Sequence, residues 1–125
     1  GDLNVAHRRV DLRNWRANQK ASGFLPEERA YWDRIVGHED HEEYNAGAGL
    51  GWVDVGRRSA GEVDGPYTWW TWRGRAFDND TGWRIDYHLA APALAERVAD
   101  YRVDRAASHA ERWSDHTPVV ADYRL

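Results

Sequence analysis

Only one stretch of this chain carries an apolar stripe with helical spacing. In LPEERAYWDRIVGH, Pro26 suits the first helical position, and Glu27 and Glu28 favour the positive end of the helix dipole. Tyr31 and Ile35, with Trp32 and Val36, form the stripe, and Gly37 follows its end. Elsewhere the apolar runs are short and punctuated by turn residues. GDLNVA reads as a strand running out into a loop, WVDVGR as a short alternating strand, and YTWWTW as an aromatic strand after the turn DGP. WRIDYHLAA is a further strand ended by Pro92, PALAERV a helical turn, and ADYRVDRA and TPVVADYRL two more strands. One helix among many short strands predicts a mixed α/β layer with substantial antiparallel pairing.

Two segments stand apart. HRRVDLRNWRANQKASGF is polar, irregular and too long for a mere connector. HEDHEEYNAGAGLG is acidic and then glycine-rich. Its His38, Asp40 and His41 read as a solvated loop in preference to a metal site, because no helix or strand fixes them.

The 125 residues allow at most one domain with one modest core. Zero cysteines exclude disulfides and thiolate metal sites. Hydrophobic residues make up 42% of the chain, and no apolar run approaches the ~20 residues of a membrane helix. The chain lacks methionine altogether, so it reads as processed or as a fragment. A net charge of −4 argues against a globally basic nucleic-acid binder, although a local basic groove is enough for phosphate. Of the 17 basic residues only Lys20 is a lysine. Arginine suits bidentate phosphate contacts, but codon bias in a GC-rich genome explains the preference as well.

Four stretches place polar groups where strands end: GDLN, NWRAN, RID and RWSDH. On an extended strand Asp2 and Asn4 point the same way. Together the stretches supply three carboxylates (Asp2, Asp86, Asp115), the imidazole of His116, and the amides of Asn4, Asn14 and Asn18. That inventory suits phosphate-ester hydrolysis: carboxylates hold a divalent cation and activate water, and a carboxylate-oriented histidine serves as base or stabiliser. Each aspartate taken alone is more often a turn former or helix cap. Of the eight tryptophans, Trp32 and Trp52 are expected in the core, whereas Trp69 and Trp83 stand beside the polar motifs. Arg73 and Arg75 fit a DNA groove and a merely solvated surface equally well.

GDLNVAH, DLRNWRANQKASGFLPEER, GPYTWWTWRGRAFDNDTGWRIDYHLA and RWSDHTPVVADY, in that order, resemble the C-terminal half of exonuclease III-type apurinic/apyrimidinic (AP) endonucleases. These belong to the endonuclease–exonuclease–phosphatase superfamily. The resemblance implies half of a four-layer α/β sandwich: a mixed, largely antiparallel sheet with outer helices. Residues 1–125 would be the C-terminal portion of the domain, with the N-terminal half, and its metal-ligand glutamate, absent.

It further implies a DNA-repair phosphodiesterase that cuts 5′ to abasic sites in duplex DNA and has 3′→5′ exonuclease activity. Asp2 would handle a proton, Asn4 would orient water or phosphate, and Asp86 would fix His116 against the scissile phosphate. Asp115 would lie at a Mg²⁺ ion, with Mn²⁺ as the alternative. Asn14, Arg16 and Asn18 would hold the DNA backbone; Ala21 departs from the family pattern there. Trp69, Trp83 and Ile85 would line the pocket for the base-free sugar. The expected setting is a monomer in the bacterial cytoplasm, at the nucleoid, with no membrane partner. Two alternatives remain: another phosphatase or nuclease of the superfamily, or a non-catalytic half-domain that needs a complementary chain.

Overall fold

The computed structural model describes residues 1–37 and 49–125. His38, Asp40 and His41 lie outside the described residues. Helix α1 (Pro26–Val36) begins as the sequence predicts, with Pro26 in the first turn, and ends at Gly37, whose φ is 69°. Glu28 Oε1 accepts from the backbone N–H groups of Leu25 (3.1 Å) and Gly23 (2.8 Å), satisfying donors at the helix start.

The face that α1 buries differs from the apolar stripe. Trp32, Asp33 and Arg29 are buried, whereas Tyr31 is exposed. Polar contacts select this face: Asp33 Oδ1 meets buried His7 Nε2 at 2.5 Å, and Arg29 Nε donates to His7 O at 2.7 Å. Trp32 then rests on Tyr87, with ring centroids 4.3 Å apart.

The strands are shorter than the sequence predicts. In WVDVGR only β1 (Val53–Asp54) is extended; α2 (Val55–Ala60) follows at once. Asp54 causes the switch, since its Oδ1 caps the helix by accepting from Arg57 N at 3.1 Å. Trp52, expected in the core, is exposed, and the inward positions next to it fall to Asp54 and Val55. β1 pairs antiparallel with β2 (Leu89–Ala90), the end of the predicted WRIDYHLAA strand. α3 (Pro92–Ala95) is the predicted helical turn. β3 (Val98–Val103) and β4 (Val119–Tyr123) form a second antiparallel pair, with a register irregularity between Val98 and Asp100. The architecture is therefore mixed α/β, with two small antiparallel sheets flanked by helices. No helix among the described residues is long and apolar enough to cross a membrane.

YTWWTW and most of WRIDYHLAA pair only through single backbone bridges. The reason is local competition for hydrogen bonds. Ile85 N and Asp86 N donate to Thr68 Oγ1 (3.0 and 3.2 Å) instead of to a neighbouring strand. Trp83 O accepts from both Thr68 N (2.8 Å) and Trp69 N (3.0 Å), as at a β-bulge. Among the described residues, three apolar clusters stand in place of the one expected core. Ala6, Leu12, Phe24 and Ile85 form one, Val55, Ala90 and Ala95 a second, and Tyr67, Trp70 and Phe77 a third.

A buried charge network joins the elements between them. Arg84, fully buried, donates from Nε to Asp11 Oδ1 (2.7 Å) and from Nη1 and Nη2 to the two oxygens of Asp54 (2.9 and 2.5 Å). Arg57 Nη2 donates to Asp11 Oδ1 and to Gly65 O, the latter at 2.9 Å. Gly56 sits against this network: a Cβ there would lie 2.9 Å from Arg84 Nη1 and 2.6 Å from Tyr101 Oη, so α2 can approach only without a side chain at that position. Burial by itself pushes the Asp11 carboxyl up, but Arg84 and Arg57 outweigh it and hold it well below the usual carboxylate range.

Removing one member of a buried ion network typically costs about 3–5 kcal/mol, because its partners stay buried without compensation. Arg84→Met should lower stability by that order in urea unfolding, and an unchanged midpoint would show the network to be dispensable. The pH dependence follows from the depressed folded-state pKa of Asp11. Its contribution is fully present above the ordinary value of 3.8 and is lost as pH falls through the folded value. Asp11→Asn should therefore start less stable and lose less on acidification below about pH 4 than the native chain.

Candidate active site

Four chain segments lie side by side at the site: residues 1–3, 83–87, 68–70 and 115–117. Leu3 N donates to Ile85 O (3.0 Å) and Tyr87 N to Gly1 O (2.9 Å), which brackets Asp2 and Asp86 as a directly opposed antiparallel pair. Such a non-hydrogen-bonded pair brings its two side chains close on one face. Trp70 N to Asp115 O (3.0 Å) and Thr117 N to Thr68 O (2.8 Å) bracket Trp69 and His116 in the same way.

These pairings bring Asp2, Asp86 and His116 together. His116 Nδ1 lies 2.9 Å from Asp86 Oδ2, and its Nε2 lies 3.6 Å from Asp2 Oδ2. One imidazole thus stands between two carboxylates. Asp86 and His116 are half-buried and Asp2 is exposed. The other oxygen of Asp2, Oδ1, accepts from Asn4 N at 2.9 Å. This Asx turn holds Asn4 at a φ of 55°, in the left-handed region that asparagine tolerates. Asp2 therefore forms a turn through Oδ1, and the turn bond leaves Oδ2 on the histidine side. Gly23 clamps the segment from behind. It has a φ of 92°, and a Cβ there would meet Asn4 O at 2.9 Å and the Trp83 ring at 3.1 Å.

Asp115 stands outside the cluster. Its Oδ2 accepts from Trp69 Nε1 at 3.1 Å, and Ser114 Oγ lies 3.5 Å from its Oδ1. Partial desolvation pushes its carboxyl up, but the Trp69 N–H, the neighbouring His116 and the Ser114 hydroxyl bring it below the ordinary value. Trp69 and Trp83 are half-buried and meet edge to face, with centroids 6.3 Å apart. Ile85 is buried in the cluster with Ala6, Leu12 and Phe24, beneath the two indoles and not on an open wall.

Asn14, Arg16 and Asn18 lie on a 3₁₀ turn, Trp15–Asn18, and its leading residue. Asn18 Nδ2 donates to Asn14 O (2.8 Å), and the exposed Arg16 guanidinium stacks 4.4 Å from the Trp15 ring centroid. Arg73 and Arg75 are exposed, and Arg75 lies 3.7 Å from Asp78.

Asp2, Asp86 and His116 each offer a ligand atom, and these atoms lie within 4.8 Å of one another. The cluster therefore has the donors to coordinate a divalent cation. Sequence reasoning did not identify Thr68, whose hydroxyl sets the Ile85–Asp86 backbone, or the Arg84 network that anchors the same strand. The signal for Arg84 was a charged residue between Trp83 and Ile85 in an otherwise aromatic and aliphatic run.

Residues 1–116 match the endonuclease/exonuclease/phosphatase family. An exodeoxyribonuclease of Bacillus subtilis is 36% identical over 119 residues, covering 95% of this chain and 41% of the relative. The DNA repair nuclease APEX1 of Danio rerio is 33% identical over 120 residues, covering 96% of this chain and 34% of its own length. Among solved structures, an AP endonuclease from Archaeoglobus fulgidus superposes with a TM-score of 0.82 at 32% identity, covering all of this chain and 44% of that one. The Neisseria 3′ phosphatase NExo bound to a product DNA hairpin gives 0.81 at 30% identity, with the same coverage. The chain belongs to the endonuclease/exonuclease/phosphatase family, and its fold is the half-sandwich the sequence resemblance implied. It spans about two fifths of the length of the bacterial relatives it matches.

Trp69→Phe removes the indole N–H that bonds Asp115 while keeping an aromatic ring. The Asp115 carboxyl should then titrate higher than in the native chain, measured by carbon-detected NMR titration. An unmoved titration would show that the indole bond does not hold the carboxylate.

Proposed function

We propose that this chain supplies the His116 half of a DNA-repair phosphodiesterase site that cuts beside abasic sites in duplex DNA. The observation that carries the reading is the line Asp86–His116–Asp2. Asp86 at 2.9 Å fixes the imidazole through Nδ1, which aims Nε2 at the space shared with Asp2. A scissile phosphate seated there would accept a hydrogen bond from Nε2. Water attacks phosphorus as the bond to the 3′-oxygen breaks, and Asp2, exposed and held by the Asn4 turn, takes the water proton or passes one to the leaving oxygen. Asn4 orients water or phosphate from the adjacent position.

Of the donors in this chain, the carboxylates of Asp2 and Asp86 would hold Mg²⁺ or Mn²⁺ while His116 keeps its bond to the phosphate. Such a cation, when bound, polarises a phosphoryl oxygen and lowers the pKa of water. Asp115, tied to Trp69, would support the neighbouring indole and the edge of the metal site.

Asn14, Arg16 and Asn18 would hold backbone phosphates, with the 3₁₀ turn presenting them together. Trp69 and Trp83 would wall the pocket for the base-free sugar, and buried Ile85 would support them from below. The names of the relatives, exodeoxyribonuclease, DNA repair nuclease and AP endonuclease, support this substrate class. The compartment that goes with it is the bacterial cytoplasm, with the complete enzyme acting as a monomer.

The test is Mg²⁺-dependent nicking of a duplex that carries one abasic site. The 125-residue chain alone should turn over weakly or not at all, since its relatives reach the same fold with more than twice its length; robust turnover would overturn the half-site reading. In a full-length domain containing it, His116→Asn and Asp86→Ala should each cut kcat by about 100-fold or more, as expected when a positioned hydrogen-bond donor to the transition-state phosphate is lost. Because both act through one imidazole, the double variant should lose little beyond the worse single one. Losses that multiply would show Asp86 acting independently of His116.

A further inference from the structure

A cavity of about 360 Å³ shares His116 with the cluster. Its lining includes Trp70, Phe77, Arg112, Trp113 and Ser114. The aromatic members are interleaved with guanidiniums. Arg112 lies 4.2 Å from the Trp72 ring centroid and 4.7 Å from that of Phe77, and Arg105 lies 3.9 Å from Phe77 and 5.1 Å from Trp70. Trp113 is the exception. It is 81% exposed, and among the described residues its ring contacts neither another ring nor a cation. An indole that open to water, three residues ahead of His116, contributes little to the fold. Arg112 Nη2 donates to Trp70 O at 2.7 Å, yet Nη1 is buried with no hydrogen-bond partner among the described residues.

We propose that this cavity holds an unpaired nucleobase of the strand whose phosphate faces His116, with Trp113 as the stacking platform. The inference rests on the phosphodiesterase reading above and names a subsite distinct from the Trp69–Trp83 pocket. A base offers a flat π face to the free indole, and the Arg112 side chain in the same lining adds a cationic neighbour. Asp104 and Glu111, also in the lining, disfavour a phosphate or other anion in the same space but not a neutral base. A base seated here would place its own backbone phosphate near His116 and favour frayed or unpaired ends over fully stacked duplex.

The test uses the 125-residue chain and two labelled single strands of equal length, one with ordinary deoxynucleotides and one with base-free tetrahydrofuran sugars, followed by fluorescence anisotropy. The two strands carry the same phosphates and differ only in their bases. The native chain should bind the base-containing strand more tightly. Trp113→Ala should weaken that binding about fivefold or more and abolish the preference, and Trp113→Phe should retain it. Because the side chain is so exposed, the far-UV and aromatic circular dichroism of Trp113→Ala should report a native fold apart from the lost indole. Arg16→Ala should weaken both strands alike. Equal binding of the two strands by the native chain, or an undiminished preference in Trp113→Ala, overturns the stacking site and leaves the phosphate-binding reading standing. Failure to bind either strand overturns both.

Discussion

Arg84 is the point on which the rest of the structure depends. Its guanidinium is fully buried and joins Asp11, from the 3₁₀ turn Arg9–Asp11, to Asp54, which caps α2. Arg57 of α2 closes the network on Asp11 and donates to Gly61 O, Val63 O and Gly65 O. The network thus ties α2, the 61–65 loop and the Arg9–Asp11 turn to one strand. That strand carries Trp83, Ile85 and Asp86. A buried ion network is a poor source of net stability compared with apolar packing, but a misplaced one is costly. Its effect is therefore to penalise wrong registers: a one-residue slip of the 83–87 strand would leave Asp54 buried without its guanidinium partner and Asp11 with Arg57 alone.

Asp86 inherits its position from this anchor and from two hydroxyls. Thr68 Oγ1 takes the backbone N–H groups of Ile85 and Asp86, and Tyr87 Oη donates to Val5 O at 2.6 Å while accepting from His7 N at 3.2 Å. Burial pushes the Tyr87 phenol well above its ordinary pKa, so it remains a donor across the accessible pH range. The N-terminal segment is thereby held against the strand that bears Asp86, which brings Asp2 opposite it. The short ladder is irregular because side chains satisfy bonds that a regular sheet would use. That irregularity lets residues with no fixed sequence spacing converge on one imidazole. The same segment ends supply His116 both to the Asp2–Asp86 cluster and to the lining of the cavity proposed to hold a base.

Much of the site was legible in the sequence because its residues sit in short, polar, strand-terminal motifs. Asp2, Asp86 and His116 were all selected from GDLN, RID and RWSDH, and the structure brings these three together. Asp115 and Ile85 were less legible. Asp115 is adjacent to His116 in the chain, but its carboxylate meets Trp69, and Ile85 faces the core. Sequence adjacency fixes where a backbone goes, but not which of two neighbouring side chains turns to the open face. Trp52 and Tyr31 show the same limit: both are large and apolar, yet both are exposed, because the inward positions beside them are taken by charged residues with buried partners.

The sequence by itself determined the helix from Pro26, the helical turn at Pro92, the two closing strands, and the chemical inventory of the site. Proline, glycine, capping carboxylates and period-two apolar runs act over a few residues, so their consequences can be read locally. Tertiary structure alone decided which face α1 buries, which buried arginine meets Asp54, and which carboxylate meets His116. Each of those outcomes depends on a bond between residues far apart in the chain: His7 with Asp33, Arg84 with Asp54, His116 with Asp86. A buried charge is acceptable only beside its partner, and that partner is specified by the fold, not by the neighbouring sequence.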